Sequence, residues 1–380
     1  MNADSAQSAD QTPPQAELEH VLRLALVSGV GPRIRQALLD RFGTAKAVFQ
    51  ATQSALRETS GVGAKLASAI SAAPDEINVQ QLIAECESSG TQIITQHDDG
   101  YPRPLQEIHD PPGVLFVRGE LQPPDALAIA IVGTRHATRY GLEQAERLAA
   151  GLARAGLTIV SGLARGIDGA AHRGALEAGG RTIAVLASGV RNIYPPEHAG
   201  LAEEISQQGA VISESPPKAA PRSGVFPQRN RVISGMSLGV LVIEAASRSG
   251  ALITARHAME QGRDVFALPG RVDNRVARGC HALLRDGARL VESPDDILEE
   301  LGPLVAPAES ATGETVHHPG ELLLNDLERQ VLAQIETDAT PIDQIVTSSG
   351  LPAHQVLSTV SVLEMRRLVR RLSGQLVARV

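Results

Sequence analysis

Tryptophan is absent from this 380-residue chain, cysteine occurs twice and phenylalanine five times. Cys86 and Cys280 lie far apart without CxxC or Cys/His spacing, which argues against a disulfide framework or a structural zinc site and predicts two reduced thiols. No run approaches the roughly 18 to 20 apolar residues that span a bilayer. The acidic, Ser/Gln-rich start Met1 to Gln15 does not read as a signal peptide, so the expectation is a cytoplasmic protein with no membrane contact. Positive charge is also in deficit, with 35 basic residues against 43 acidic and a net charge of −8. That balance argues against wholesale polyanion binding, so any anion contact has to come from local basic segments. The remaining composition, 43% apolar and 21% charged, is too hydrophobic for general disorder. At about 150 residues per unit the length suits two or three folded domains.

Residues 1–16 carry no periodic pattern and are expected to be a disordered tail. Over 17–90, short amphipathic stretches are punctuated by Gly29-Val30-Gly31 and Gly61-Val62-Gly63, each followed by a basic helix start. This predicts a helix-hairpin-helix pair, whose glycines turn the backbone tightly and leave N–H groups at a helix N-terminus, where a phosphate could be held. An ordinary helical hairpin without a ligand fits the same pattern. From 91 to 301, buried-type β runs (128–132, 157–160, 182–186, 210–212, 240–243, 264–268, 289–291) alternate with helical stretches. Continuous apolar runs imply burial on both faces, as in a parallel sheet, and the βαβ repeat specifies an α/β, doubly wound Rossmann-like domain. The Pro/Ala/Thr-rich stretch 302–320, with His317 and His318, reads as a linker. Residues 321–380 have the pattern of three helices and a terminal hairpin about Ser373-Gly374, a winged helix. The last twenty residues carry five arginines and one acid, which suits DNA or protein contacts equally.

Ligands of doubly wound folds bind beyond the C-terminal strand ends, so the loops there carry the chemistry. After the first parallel strand comes Gly133-Thr134-Arg135-His136, without GxGxxG spacing but suited to one phosphate. After the second comes Ser161-Gly162-Leu163-Ala164-Arg165-Gly166-Ile167-Asp168, with His172 four residues on. Ser161, Asp168 and His172 invite a catalytic triad, but GxSxG is missing, and an Asp168 cap oriented by His172 is the preferred expectation. Between Ser215 and Ile243 stand Lys218, Arg222, Arg229 and Arg231 with no Asp or Glu, and Phe226 lies among them. An exposed ring flanked by alternating arginines meets the needs of single-stranded nucleic acid: charge for the backbone, a flat face for an unstacked base. A ring buried under the loop, with solvated arginines, would give the same composition. The loop Ser247-Arg248-Ser249-Gly250 offers another helix entrance suited to phosphate. Four anion-friendly loops along one sheet edge point to an extended polyanion or a nucleotide.

The runs IVGTR, YG, SGLARGIDGAAH, GG-TIAVLASGV, YPPE, ISESP, FPQRNRVISG, VLVIEA, SGALITA, GRDVFALPG and DGARLV, in this order over about residues 100–300, resemble the DprA/Smf family of DNA-processing proteins. The resemblance implies a dimeric, non-enzymatic protein that protects incoming single-stranded DNA in natural transformation and loads a RecA-type recombinase, with no cofactor, metal or catalytic residue. It places the DNA-contacting arginine on Arg135 and an aromatic-plus-basic pocket on Phe226, Arg229 and Arg231, with Arg222 replacing a displaced basic residue. Gly133, Thr134, Ser161, Gly162, Gly166, Asn230, Ser249 and Gly250 complete the expected DNA-binding set. His198 departs from the family's YPxxN, and Cys280-His281 from its small residue and asparagine. The competing reading is a nucleotide hydrolase of the lysine-decarboxylase-like (LOG) family on a similar fold. It is opposed by SRSGALIT standing where PGGxGT would be, and by the lack of a carboxylate pair for acid–base work.

Overall fold

The structure, a computed structural model, describes residues 14–301, 308–309, 315–316, 324–336, 339–365, 368–372 and 376–379. Residues 1–13 of the expected tail, and most of the expected linker with His317 and His318, lie outside them. The first helix begins at Pro14, inside the expected tail.

Six helices open the described chain: α1 (Pro14–Leu26), α2 (Pro32–Phe42), α3 (Ala45–Gln50), α4 (Gln53–Arg57), α5 (Ala64–Glu76) and α6 (Val79–Ser88). The two Gly-Val-Gly tripeptides are conformational repeats. Gly29 and Gly61 take φ of +95° and +84°, and Gly31 and Gly63 cap α2 and α5 with φ of −83° at each. Only glycine adopts the left-handed first position without strain.

This helical unit does not stand apart from the next. Leu22, Val79 and Cys86 share one core with Val114, Phe116, Leu186 and Ala202. Arg35 is buried at the junction and donates to Gln96 Oε1 (2.5 Å) and the Pro111 carbonyl (3.3 Å). Burial lowers its pKa. The boundary expected near residue 90 therefore marks a change of composition, across which packing is continuous.

The central sheet has nine strands: β1 (Gln92–Thr95), β2 (Val114–Gly119), β3 (Ala128–Gly133), β4 (Thr158–Ser161), β5 (Thr182–Leu186), β6 (Ala210–Ser213), β7 (Gly239–Ile243), β8 (Asp264–Ala267) and β9 (Arg289–Leu290), in the order β1-β2-β6-β5-β4-β3-β7-β8-β9. All seven runs expected as strands are present and parallel. The two strands not foreseen, β1 and β2, add an antiparallel edge. After α7 (Arg103–Gln106), the crossovers include α8 (Arg139–Arg154), α9 (Ile167–Glu177), α10 (Ala199–Gln208), α11 (Val225–Gly235), α12 (Ala251–Glu260) and α13 (Arg278–Arg285), and α14 (Pro294–Leu301) follows β9.

Alternation within each strand explains the unbroken apolar runs. Ala128, Ala130 and Val132 face a core with α11, α12 and α13, whereas Ile129 and Ile131 face a second core with α8 and α9. Burial of both faces is what a parallel sheet with helices on each side demands.

Past the short strands β10 (Ala308–Glu309) and β11 (Thr315–Val316), α15 (Asp326–Leu332), β12 (Thr340–Pro341), α16 (Ile342–Ser349), α17 (Ala353–Met365), β13 (Val369–Leu372) and β14 (Leu376–Arg379) form the expected winged helix with its own core. Arg371 pairs with Glu364 at 3.1 Å, so part of that segment's excess charge is neutralised locally. Arg366 and Arg367 lie outside the described residues. Among the described residues no helix is long and apolar enough to cross a membrane, and no cluster of three or more His, Cys, Asp or Glu could hold a metal ion.

Candidate nucleic-acid interface

The chain leaves β3 toward β4, β5 and β6 on one side, and β7 leads to β8 and β9 on the other. The loops after β3 and β7 thus part to opposite faces and open a crevice at the C-terminal strand ends. It encloses about 350 Å³ and is lined by Gly133, Arg135, Asp168, Phe226, Arg229 and Gly250, among others.

Arg135 and Phe226 form the ridge of this crevice. The Arg135 guanidinium carbon lies 5.0 Å from the centroid of the Phe226 ring, and Tyr194 meets that ring edge-on at 6.0 Å and 66°. Arg135 is exposed and, among the described residues, makes no ion pair, while Phe226 is half-buried. A cation–π contact of this kind is worth about 0.5–1 kcal/mol at an exposed site. Here it lays a charged plane against an aromatic one, so that phosphate and base contacts are adjacent. Tyr194 was not among the expected site residues. Its signal was the YPPE motif in a chain with only 2% aromatic residues.

The expectation of alternating arginines free to meet a strand fails at Arg229 and Arg231. Val225–Gly235 is helix α11, buried from Arg229 onward. Arg229, 6% exposed, donates Nη1 to the carbonyls of Gly162 (2.7 Å) and Val185. Burial pulls its pKa down to about 10, with the Asp168 charge opposing the shift. Arg231, 4% exposed, is ion-paired to Glu214 and Asp110 and also donates to the Asp110 carbonyl. Asn230 donates to the Gly250 carbonyl at 3.2 Å. Lys218 pairs with Glu85 of α6 at 2.8 Å. The segment is acid-free because its partner acids arrive from other elements. Of its four cations only Arg222 remains exposed without an ion pair among the described residues.

The loop after β4 is likewise corrected. Ser161 is fully buried and donates to the Ile131 carbonyl at 2.6 Å, so it ties β4 to β3. The expected convergence of N–H groups on an outside anion is pre-empted by Asp168. Its buried carboxylate accepts from the backbone of Ala164 (3.3 Å) and of Gly162. Desolvation raises its pKa, against the pull of Arg229. Gly162 leaves no room for a Cβ beside the Arg229 guanidinium, and Gly166, at φ +76°, would drive a Cβ into the Thr134 carbonyl oxygen. These glycines therefore dock the loops on one another. The first loop is also internally bonded: Thr134 N donates to the Glu244 carbonyl (2.7 Å), and His136 N donates to Thr134 Oγ1 (3.2 Å). Gly133 packs against Ile167 and the end of β7. Ser249 Oγ accepts from Ala251 N at 3.3 Å, whereas Gly250 and the neighbouring Arg248 remain exposed. Replacing Gly166 by Ala is expected to cost about 1–3 kcal/mol from the positive φ alone, and to displace Arg135 with its loop. A melting curve identical to wild type would contradict this.

Asp168 does hold its loop, but His172 does not orient it. His172 is fully buried, with Nδ1 2.6 Å from Thr182 Oγ1, whose proton goes to the Ile159 carbonyl (2.7 Å). Nδ1 is therefore the protonated nitrogen, and Nε2 has no hydrogen-bond partner among the described residues. Burial depresses the pKa from 6.5 to about 3. Between those values the unfolded chain binds a proton that the folded one does not, so stability falls as pH drops below 6.5. The slope from this group approaches about 1.4 kcal/mol per pH unit. His172→Gln should remove that component of the acid sensitivity, as read by urea titrations at pH 7 and 5. Equal pH dependence in the two proteins would exclude it.

The fold and crevice define a class: a doubly wound α/β protein without a dinucleotide fingerprint, presenting a cation stacked on an aromatic ring at its switch point, between helical and winged-helix units. A family model described as DNA recombination-mediator protein A matches residues 92–302. A DprA winged helix domain matches 316–375, and a SAM-like helix-hairpin-helix tandem matches 21–73. The chain belongs to the DprA/Smf family of DNA-processing proteins. It is 36% identical over 389 residues to Protein Smf of Synechocystis, covering 94% of this chain and 98% of that one. It is 43% identical over 222 residues to DNA processing protein DprA of Bacillus subtilis, covering 58% and 75%. Among solved structures it is similar to DprA from Streptococcus pneumoniae, with a TM-score of 0.66 and 36% identity over 74% of this chain and 97% of that one. It is also similar to DNA processing protein A from Helicobacter pylori, a protein with a described single-stranded DNA binding mode, with a TM-score of 0.50 and 31% identity over 55% and 98%.

Proposed function

We propose that this chain binds single-stranded DNA along the crevice rim and protects it. We further propose that, as a cytoplasmic homodimer, it passes the strand to a RecA-type recombinase in natural transformation without catalysing turnover. The observation that carries this reading is the exposed Arg135 guanidinium stacked on Phe226. Arg222 and Arg248, exposed and without ion pairs among the described residues, are available for further phosphate contacts. Stacking supplies sequence-tolerant affinity and the arginines supply salt dependence. The buried members of the expected set that adjoin the crevice, Ser161, Gly162, Arg229 and Asn230, together with Gly133, Thr134 and Gly166, act by holding this rim in shape, whereas Arg231 is taken up by its internal ion pairs with Glu214 and Asp110. Ser249 and Gly250 border it.

Fluorescence anisotropy with single-stranded and duplex oligonucleotides over a salt series tests the binding. Tighter binding of single strands, weakening steeply with salt, is expected. Equal or tighter binding of duplex would overturn the reading. Mass measurement in solution tests the dimer, and recombinase-filament assembly on coated strands tests the hand-over. Incubation with nucleoside monophosphates should release no base.

A further inference from the structure

A second cavity, of about 650 Å³, lies on the far side of the loop that carries Arg135. Its walls are the Tyr140 ring, Leu268, Pro269 and Cys280, and its polar end is the Glu244 carboxylate. Glu244 is 5% exposed and takes φ +49°, one of two non-glycine residues of the described chain in that region. Its Oε2 accepts from Thr138 N (2.8 Å) and its Oε1 from Thr138 Oγ1 (2.5 Å). An ionised carboxylate has about four acceptor positions, so roughly half remain. Among the described residues no cation pairs with it. The carboxylate sits at the N-terminus of α8, which favours an anion, but a buried anion held by two neutral donors on a strained backbone still carries a cost, and such costs concentrate at binding sites.

The mouth carries the opposite sign. Arg139 and Arg271 line it, with side chains 92% and 84% exposed, and among the described residues each is engaged only by a neighbouring surface carboxylate, Glu143 and Asp273. Arg139 stands in the first turn of α8, where the helix dipole disfavours a cation. Exposed pairs of this kind contribute little, so an arriving anion can replace the carboxylates. A deep acceptor, flat apolar and aromatic walls and a cationic mouth together fit a ligand with N–H donors at one end, a planar body and a phosphate at the other.

We propose that this cavity is a nucleobase site for a base bearing an exocyclic amine, with the amine on Glu244, the ring against Tyr140 and Pro269, and the attached phosphate at Arg139 and Arg271. The base comes either from the strand bound at Arg135, which rests on the function proposed above, or from a free nucleotide. The loop from Gly133 to Tyr140 borders both cavities, so one strand can cross its crest.

The test uses the full chain, with Tyr140→Ala and Arg271→Ala at exposed positions. Binding of oligo(dC), oligo(dT) and dCMP is measured alongside Arg135→Ala, and melting curves check folding. If the strand supplies the base, wild type prefers oligo(dC) to oligo(dT) by about fivefold or more. Tyr140→Ala brings that ratio to about one, while Arg135→Ala weakens both oligonucleotides alike. If a free nucleotide supplies it, dCMP binds wild type, and Tyr140→Ala or Arg271→Ala loses that binding with strand affinity unchanged. The proposal is overturned if oligo(dC) and oligo(dT) bind alike and dCMP does not bind at millimolar concentration, or if neither variant alters either preference. Strand binding that survives Arg135→Ala would instead sink the function proposed above.

Discussion

Phe226→Ala is expected to weaken single-strand binding by about 1–3 kcal/mol, roughly 5- to 150-fold, while barely moving the melting temperature. The ring is half-buried at the start of α11, with Arg135 on its face and Tyr194 at its edge, and belongs to none of the hydrophobic cores. Its removal therefore deletes a stacking platform and leaves no core cavity. Arg135→Ala should weaken binding as well and lower the slope of log affinity against log salt by about 0.7, the signature of one lost phosphate contact on a single strand. The pair should be non-additive, because each positions the other. A double variant that loses the full sum of both effects would show two independent contacts. A large drop in melting temperature for Phe226→Ala alone would make the ring a packing residue.

Arg231→Ala should behave in the opposite way. Its guanidinium neutralises Glu214 and Asp110 inside the protein, and Arg35 and Tyr101 share the same electrostatic neighbourhood. Burial already raises the pKa of Glu214 against the pull of Arg231. Deleting one member of a fully buried group costs about 3–5 kcal/mol; with the Glu214 and Asp110 side chains 29% and 22% exposed and Arg35 still beside Glu214, the lower end, about 3 kcal/mol, is expected. For a unit of this size that is on the order of 10 °C in melting temperature. Strand affinity of the protein that remains folded should be nearly unchanged at low temperature. Combining Arg231→Met with Glu214→Gln and Asp110→Asn should recover part of the stability. A variant that melts like wild type yet loses strand affinity would show that Arg231 reaches the ligand.

Phe226 and Arg231 lie five positions apart in one acid-free segment, and its composition assigns both to the ligand. Composition counts charge along the chain, whereas burial depends on which helix face packs on the sheet. The partner acids, Glu214 after β6 and Asp110 before β2, are distant from Arg231 in sequence order or belong to other elements. The same limit applies to the loop after β4, where glycine spacing predicts an anion cradle. The anion it holds is the chain's own Asp168.

Local chemistry was sufficient for the rest. Continuous apolar runs required a parallel sheet with helices on both faces. The Gly-Val-Gly repeats at 29–31 and 61–63 pointed to the paired hairpins, and the absence of GxGxxG weakened the dinucleotide reading. Each is a property of a few consecutive residues, carried by backbone sterics or by the pattern of burial, and so is legible before folding. Which cations face water and which are consumed inside was decided only by the tertiary structure, as was the joining of Arg135, Phe226 and Tyr194 into one ridge. Electrostatic and aromatic contacts act across distances of a few ångströms in space, and only the packed sheet brings two loops and the start of α11 that close.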